Sequence, residues 1–211
     1  MTNTPQFRSQ QIDTDDFVYV ILEKDGIPAT EIVRYDNFVN WLIKPDTKRM
    51  MALHWALGIA GEVGELIEAV YTTDLEKREQ NKIEELGDLE FYFQALRNHY
   101  AISLTHLHGV ELPPEWVVYS LQDALTVSQG LICDCIKREY VYGKPRDNQA
   151  VEQALGFLAW TLNTLYYTHP FNRAHILQAN ADKLAKRYVS LRYSDAAAID
   201  RADKKAGPGE T

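Results

Sequence analysis

Two pairs of acidic residues inside apolar stretches constrain the fold of this chain more than any other feature. Glu62 and Glu65 belong to the stretch GIAGEVGELIEAV, and Glu85 and Asp88 belong to KIEELGDLEFYF. Each pair has the spacing i, i+3, which places both carboxylates on one face of a helix. The connection TTDLEKREQN is short, so the sequence predicts two antiparallel helices that turn their acids toward each other.

The chemistry of this acidic set predicts a divalent cation. Carboxylates that are brought together repel, and apolar surroundings make their charge more costly. Without a counter-ion they would take up protons or push the helices apart. The four residues offer only oxygen ligands, which suits a hard cation such as Mg2+, with Mn2+ as an alternative. Because Mg2+ readily takes phosphate oxygens as further ligands, the set favours triphosphate chemistry.

Three glycines at helical spacing accompany the first acidic pair, namely Gly58, Gly61 and Gly64. Each lowers helix stability by about 1 kcal/mol relative to alanine. Close approach of another helix or of a substrate would offset that cost, and structural packing alone would also explain it. One acid pair at i, i+3 is common on solvated helix faces. Two matched pairs together with the glycines favour a functional site.

Helical periodicity dominates the chain from Tyr35 onward and predicts an all-α helical bundle. We expect Asp46-Thr47 to cap the second helix and Pro113-Pro114 to begin the fourth. The predicted helices cover residues 36–43, 48–72, 79–100, 115–140, 147–168 and 171–190.

The predicted organisation is one helical domain with short flanking segments. Residues 1–34 form an N-terminal arm in which the apolar run at 17–33 is either a small hairpin, turning near Asp25-Gly26, or the lead-in to a helix. Residues 35–205 form the all-α domain. Residues 206–211 have the composition of a disordered tail.

A weak sequence similarity between two parts of this domain suggests a degenerate repeat, in which residues 115–190 correspond to residues 36–105. In the aligned register Asp88 corresponds to Leu155. The second copy would therefore keep the helical frame and lose the acids. Chance similarity between helices is the alternative.

Composition and charge exclude several kinds of partner. The chain has 211 residues, of which 45% are hydrophobic and 25% charged, and its formal net charge is −8. A general nucleic-acid surface needs clustered Lys and Arg, so we expect no nucleic-acid partner. There is no apolar run of membrane length, and the first residues lack the apolar core of a signal peptide. We therefore expect no membrane association and a cytoplasmic location.

At the acidic residues the chain resembles the all-α NTP pyrophosphohydrolase superfamily, in particular its MazG-like members. The family pattern of ExxE on one helix and ExxD on the next is matched by GEVGELIE and EELGDLEF. A third match, NADKLAKRYVSLRYSDAAAIDR, resembles the family's C-terminal signature through Asn180, Lys183, Arg187, Tyr193, Ser194 and Arg201. The matched segments cover residues 50–100 and 175–201.

The resemblance implies that the chain hydrolyses a (d)NTP to the (d)NMP and pyrophosphate, with Mg2+ as cofactor. Its metal ligands would be Glu62, Glu65, Glu85 and Asp88. Glu62 and Glu65 are the predicted catalytic residues, and Glu62 is our choice of general base toward water. Family members assemble from more than one helical copy, which implies a homo-oligomer.

Basic residues near the C-terminus are predicted to bind the triphosphate. Lys183 and Arg187 share a helix face at i, i+4, with Asn180 one turn earlier, and Arg201 follows in the tail. Without the resemblance, KLAKRY would be interpreted as a solvated basic face. His54 lies just before the glycines and is predicted to face the nucleobase, with a packing role as the alternative.

Other functions stay open at this point. Phosphoribosyl-ATP pyrophosphohydrolase shares the fold and the acids but lacks so long a C-terminal half. Dimeric dUTPases and phage dCTPases are further relatives. A helical binding or scaffold protein without turnover is the alternative from another class. The four retained acids argue against it, since a scaffold gains nothing from their repulsion.

Overall fold

The computed structural model describes residues 16–24 and 27–204, and these are mostly helical. A two-stranded antiparallel sheet comes first, formed by β1 (Phe17–Lys24) and β2 (Ile27–Arg34). The helices are α1 (Tyr35–Leu42), α2 (Lys48–Val70), α3 (Leu75–Tyr100), α4 (Leu104–His108), α5 (Leu121–Ile136), α6 (Asn148–Thr168), α7 (Arg173–Arg187) and α8 (Asp195–Asp200). The predicted all-α class is confirmed. The predicted arm at 1–15, the turn at Asp25-Gly26 and the tail at 206–211 lie outside the described residues.

The N-terminal strands form the hairpin that was one of the two alternatives for this segment. Tyr19 pairs with Ile32 across the hairpin. Strand alternation buries Val18 and Val20 in the core and leaves Tyr19 exposed. Gln178 of α7 donates its amide to the Tyr19 carbonyl at 2.9 Å and accepts from the Tyr19 amide at 2.8 Å. The hairpin is therefore attached to α7 by both packing and hydrogen bonds.

Helices α2 and α3 form the antiparallel pair that the sequence predicts. Trp55 contacts His99 with ring centroids 5.4 Å apart, and further along α2 Glu62 hydrogen-bonds Glu85. Higher residue numbers on α2 thus meet lower numbers on α3. Thr47 caps α2 as expected, because its hydroxyl accepts a hydrogen bond from a backbone amide of the first turn. The antiparallel packing of α2 and α3 therefore places the two acidic stretches side by side.

Helix α3 begins one turn earlier than the periodicity suggests. The Asp74 carboxylate accepts hydrogen bonds from the amides of Glu76 and Lys77 at 3.0 and 3.2 Å. It satisfies amides that have no partner within the helix, so the charged first turn is stable although it carries little apolar pattern.

The second half of the chain adds α5 and α6, which pack on each other, and α5 also packs on α2. The single helix predicted at 115–140 is divided in the structure. Pro114–Val118 form a 3-10 turn, the Ser120 hydroxyl caps α5, and Lys137–Val141 continue it as a π turn. Whether these helices descend from a copy of the first half stays a prediction.

The apolar core is one cluster that joins the hairpin to the helices. Its largest fully buried members include Tyr35, Phe38 and Phe93. Within the described residues, no helix is both long and apolar enough to cross a bilayer.

A buried ion pair links α3 to α7 inside this core. Glu90 is 1% exposed, and Arg173 donates to its two oxygens at 2.7 and 2.9 Å. The Tyr166 hydroxyl donates to the same carboxylate at 2.9 Å. Burial alone would raise the pKa of Glu90, but the Arg173 guanidinium holds that pKa below its ordinary value. The pair fixes the start of α7 against the middle of α3.

Among the three glycines of α2, only Gly58 has the expected close neighbour. A Cβ built on Gly58 would lie 2.7 Å from ring atoms of Tyr92. At Gly61 and Gly64 a Cβ would meet no atom of the described residues within 4 Å. The expected close approach is confirmed at Gly58. At Gly61 and Gly64 no other described part of the chain makes it, so the approach of a substrate stays a prediction there.

We expect opposite effects from alanine at two of these positions. Gly58→Ala should lower the free energy of unfolding by about 1–3 kcal/mol, because the Tyr92 ring must move. Gly64→Ala should raise it by about 0.5–1 kcal/mol, because alanine favours the helix and finds open space. Urea unfolding measures both changes in the free energy of unfolding, provided that its dependence on urea concentration is the same in the wild type and the variants. Destabilisation by Gly64→Ala would show that something outside this chain packs on that face.

Candidate functional site

Three of the four predicted acids come together between α2 and α3. Carboxylate oxygens of Glu62, Glu65 and Glu85 all lie within 4.8 Å of one another. We call these three residues the acidic cluster. Asp88 is not part of it, because the Asp88 carboxylate turns toward α7. The sequence thus placed four acids at one site, and the structure brings three of them within reach of a common ion.

The electrostatics of the acidic cluster are those of like charges without a counter-charge. Burial is the main cause that raises the pKa of Glu62 to about 8, and the charge of Asp88 and the hydrogen bond with Glu85 add to it. Burial also raises the pKa of Glu85. In the described part of the chain, no Lys or Arg forms an ion pair with these carboxylates. At neutral pH the cluster therefore holds a proton that a cation could replace.

Asp88 is engaged by two residues of α7 that were predicted to bind substrate. Asn180 donates its amide to Asp88 Oδ1 at 2.8 Å, and Lys183 donates to Asp88 Oδ2 at 2.5 Å. Asn180 is 3% exposed. Neither residue lines the neighbouring cavity. The structure therefore places both behind Asp88, as its partners, where the sequence suggested direct contacts to the triphosphate.

A cavity of about 540 Å³ opens beside the acidic cluster, and all three of its carboxylates line it. Its size falls within the range of small-molecule sites. It lies between α2, α3, α7 and the segment that follows α7. Three of the predicted substrate-binding residues, Arg187, Arg201 and His54, line it, and so does Lys204. Acidic and basic groups therefore share one space.

Two basic groups at this cavity, Arg187 and Lys204, are held by carboxylates of the chain itself. Arg187 donates two hydrogen bonds of 2.7 Å to the two oxygens of Asp203. These bonds raise the pKa of Arg187 and lower the pKa of Asp203. Lys204 pairs with Glu84 in the same way. Sequence reasoning missed Asp203, Lys204 and Glu84, and the alternating charges of DRADKK were the only signal for the first two.

His54 lines the same cavity, as predicted, together with aromatic neighbours. Its ring meets the edge of Tyr92, with centroids 5.7 Å apart. Partial burial, and then the charge of Lys44, lower the pKa of His54. A neutral imidazole beside aromatic rings provides a surface on which a planar ring can pack.

Comparisons with models of protein families, with curated proteins and with solved structures found no match. The resemblance to MazG-like enzymes therefore rests on the motifs alone. The function has to be argued from the geometry and charges of the site.

The raised pKa of Glu62 predicts how the stability of the metal-free protein depends on pH. The folded carboxyl binds its proton more tightly than the unfolded one, so its stabilising contribution is complete at acidic pH. That contribution is lost as the pH rises from near 4.5 through about 8. Glu62→Gln removes the ionisation. At pH 8.5 it should stabilise the metal-free protein by about 1–2 kcal/mol, after allowance for solvent screening.

Denaturant unfolding at pH 5 and pH 8.5 measures this effect. Glu68→Gln is the matched control, since Glu68 is an exposed carboxylate on the same helix outside the cavity. Glu62→Gln and the control should differ at pH 8.5 and agree at pH 5. The same difference at both pH values would contradict the assigned pKa.

Proposed function

We propose that the chain is a Mg2+-dependent nucleoside triphosphate pyrophosphohydrolase, which converts a (d)NTP to the (d)NMP and pyrophosphate. One observation carries the proposal. The acidic cluster, without a basic partner among the described residues, lines the same cavity as Arg187, Arg201 and Lys204. A site with both a place for a cation and guanidinium groups suits a polyphosphate.

The donor set fits a hard divalent cation. The acidic cluster supplies only carboxylate oxygens, and their mutual distances allow one ion to be shared. A cation would also offset the burial and, after it, the repulsion that together raise the pKa of Glu62 and Glu85. We propose Glu62, Glu65 and Glu85 as the residues that hold it, with Mn2+ as an alternative to Mg2+. Asp88 is left out of this set, because Asn180 and Lys183 already donate hydrogen bonds to its two oxygens. Its role as a fourth ligand stays a prediction.

The hydrolytic step needs an acceptor for one proton. When bound, Mg2+ neutralises phosphate charge and acidifies water at the site. A water oxygen adds to phosphorus, the bridging P–O bond between the α- and β-phosphates breaks, and pyrophosphate leaves. A carboxylate oxygen of Glu62 takes the proton of the water. The pKa of about 8 belongs to Glu62 in the metal-free cluster, and a bound cation would lower it, so that the carboxylate is ionised and able to accept the proton.

The basic residues of the cavity would orient the triphosphate. Arg187 offers a planar guanidinium that matches two phosphate oxygens, and at present it makes the same paired contact with Asp203. The Asp203 carboxylate thus occupies the place that an anionic substrate would take. His54 and Tyr92 would pack against the nucleobase. A homo-oligomer and a cytoplasmic location, both implied at the sequence level, belong to the same proposal.

The direct test is a panel of dNTPs and NTPs with Mg2+, in which pyrophosphate and orthophosphate are measured separately. We expect pyrophosphate from the wild type. Glu65→Gln should reduce kcat at least about 100-fold, since it removes a charged ligand of the ion. Glu68→Gln, which lies outside the cavity, should behave as wild type. Release of orthophosphate would contradict α–β cleavage, and no turnover with either metal would favour a scaffold.

Removal of the Asp203 carboxylate should help substrate to bind. In Asp203→Asn, Arg187 is no longer neutralised before the triphosphate arrives. We expect KM for the nucleotide to fall about threefold with little change in kcat, because the triphosphate no longer has to displace a competing carboxylate from Arg187. Asp182→Asn is the control, because Asp182 is an exposed carboxylate of α7 that does not line the cavity. A raised KM in Asp203→Asn would show that Asp203 assists binding instead.

A further inference from the structure

Tyr35 lies at the start of α1, outside every motif that the sequence singles out, and yet it reaches the site. It is 0% exposed, and its ring stacks on Phe38 with centroids 6.0 Å apart. Its hydroxyl donates to Asn180 Oδ1 at 2.9 Å. Asn180 in turn donates to Asp88 Oδ1 at 2.8 Å. A continuous chain of two hydrogen bonds therefore runs from the junction of β2 and α1 to the edge of the acidic cluster.

The chemistry of Tyr35, Asn180 and Asp88 fixes which group donates in each of these two hydrogen bonds. An ionised carboxylate accepts hydrogen bonds and donates none, so the Asn180 amide must turn its NH2 group toward Asp88. Its carbonyl oxygen then faces the Tyr35 hydroxyl, which must donate. Burial raises the pKa of Tyr35 well above its ordinary value, so the hydroxyl keeps its proton. Asp88 thus sets the amide orientation, and the hydrogen bond from the Tyr35 hydroxyl stabilises the amide in that orientation.

The space around Asn180 enforces the same arrangement. A Cβ built on Gly87 would lie 2.9 Å from the Asn180 Cβ and 3.3 Å from its amide nitrogen. The amide thus lies directly against the backbone of α3, next to Asp88. The glycine in EELGD is explained by this close approach. Any larger residue at position 87 would push Asn180 away from Asp88.

We propose that Tyr35 is a positioning residue of the site, which acts through Asn180 to hold the Asp88 carboxylate in its orientation beside the acidic cluster. The inference rests on the proposed function, since it assigns a consequence for metal binding and turnover. With the hydroxyl removed, the Asn180 amide loses the partner that orients it. Asp88 then loses a fixed hydrogen bond, and the negative charge beside Glu62 is no longer held in place. Side chains that orient metal-site carboxylates typically affect metal affinity or activity by about 10- to 100-fold.

Tyr166 provides a matched control for a purely structural role. It is partly buried, and its hydroxyl donates to a carboxylate oxygen of the buried Glu90 at 2.9 Å. Glu90 pairs with Arg173 and does not line the cavity. Tyr166→Phe therefore also removes a tyrosine hydroxyl that donates a hydrogen bond inside the molecule, but from a different network. Any effect of lost packing or stability should appear in both phenylalanine variants.

The experiment uses the full chain and Mn2+ alone as the probe. Mn2+ affinity is measured by electron paramagnetic resonance for the wild type, Tyr35→Phe and Tyr166→Phe, with thermal unfolding of the metal-free proteins alongside. We expect both variants to lose some stability. Tyr35→Phe alone should bind Mn2+ about 10-fold more weakly and should lower kcat more than it changes KM. In an Asn180→Ala background, Tyr35→Phe should change Mn2+ affinity no further, because the two act in series.

The outcomes separate this inference from the proposed function. If the wild type binds Mn2+ and releases pyrophosphate while Tyr35→Phe binds Mn2+ equally well, only the role of Tyr35 is overturned. Equal losses of affinity in both variants would also overturn it, as would a full effect of Tyr35→Phe in the Asn180→Ala background. If the wild type neither binds Mn2+ nor releases pyrophosphate, the proposed function fails and the inference fails with it. Should Tyr35→Phe not fold, Asn180→Ala alone must weaken Mn2+ binding, and wild-type affinity there would overturn the inference.

Discussion

The packing of α2 against α3 is the constraint on which the rest of the site depends, because it holds like charges together. Glu62, Glu65 and Glu85 approach within 4.8 Å, a distance at which ionised carboxylates repel. The contact of Gly58 with Tyr92 lets the helices come close enough for this to occur. Apolar burial along both helices opposes the repulsion. Burial is also the main cause of the raised pKa of Glu62, and the neighbouring carboxylates add to it. A proton or a cation at the acidic cluster would lower this electrostatic cost.

Helix α7 connects the surroundings of the acidic cluster to the rest of the molecule. Its buried start is fixed by the pair of Arg173 with Glu90. Two turns on, Asn180 and Lys183 engage Asp88, and at its end Arg187 meets Asp203. Helix α7 thus holds the Asp88 carboxylate beside the acidic cluster and places the Arg187 guanidinium at the cavity.

The sequence predicted those features that depend on local periodicity and on spacing along one helix. The bounds of α2 and the cap at Thr47 follow from apolar spacing and turn chemistry. The acid pairs at i, i+3 indicated a shared face correctly. Helices α4 and α8 were missed, because five and six residues are too few for a period to register.

The contacts that modify the site could not be read from spacing. Asn180 and Asp88 are 92 positions apart, and Tyr35 and Asn180 are 145 apart. Contacts of that separation leave no periodic signal, since they depend on how whole helices pack. The resemblance placed Asn180 and Lys183 near the acidic residues but did not indicate that both engage Asp88, and their contact with a triphosphate stays a prediction. The open space beside Gly61 and Gly64 could not be predicted for the same reason. A glycine in the sequence does not indicate which element, if any, packs against it.

The central claim is that Glu62, Glu65 and Glu85 share one divalent cation that serves polyphosphate cleavage. The most direct measurement is anomalous scattering from crystals soaked with Mn2+ and a non-hydrolysable dNTP analogue. The account predicts an anomalous peak within coordinating distance of oxygens from all three carboxylates, with phosphate oxygens of the analogue completing the coordination. An analogue bound in the cavity without any peak at the acidic cluster, or a peak held by other residues, would contradict it.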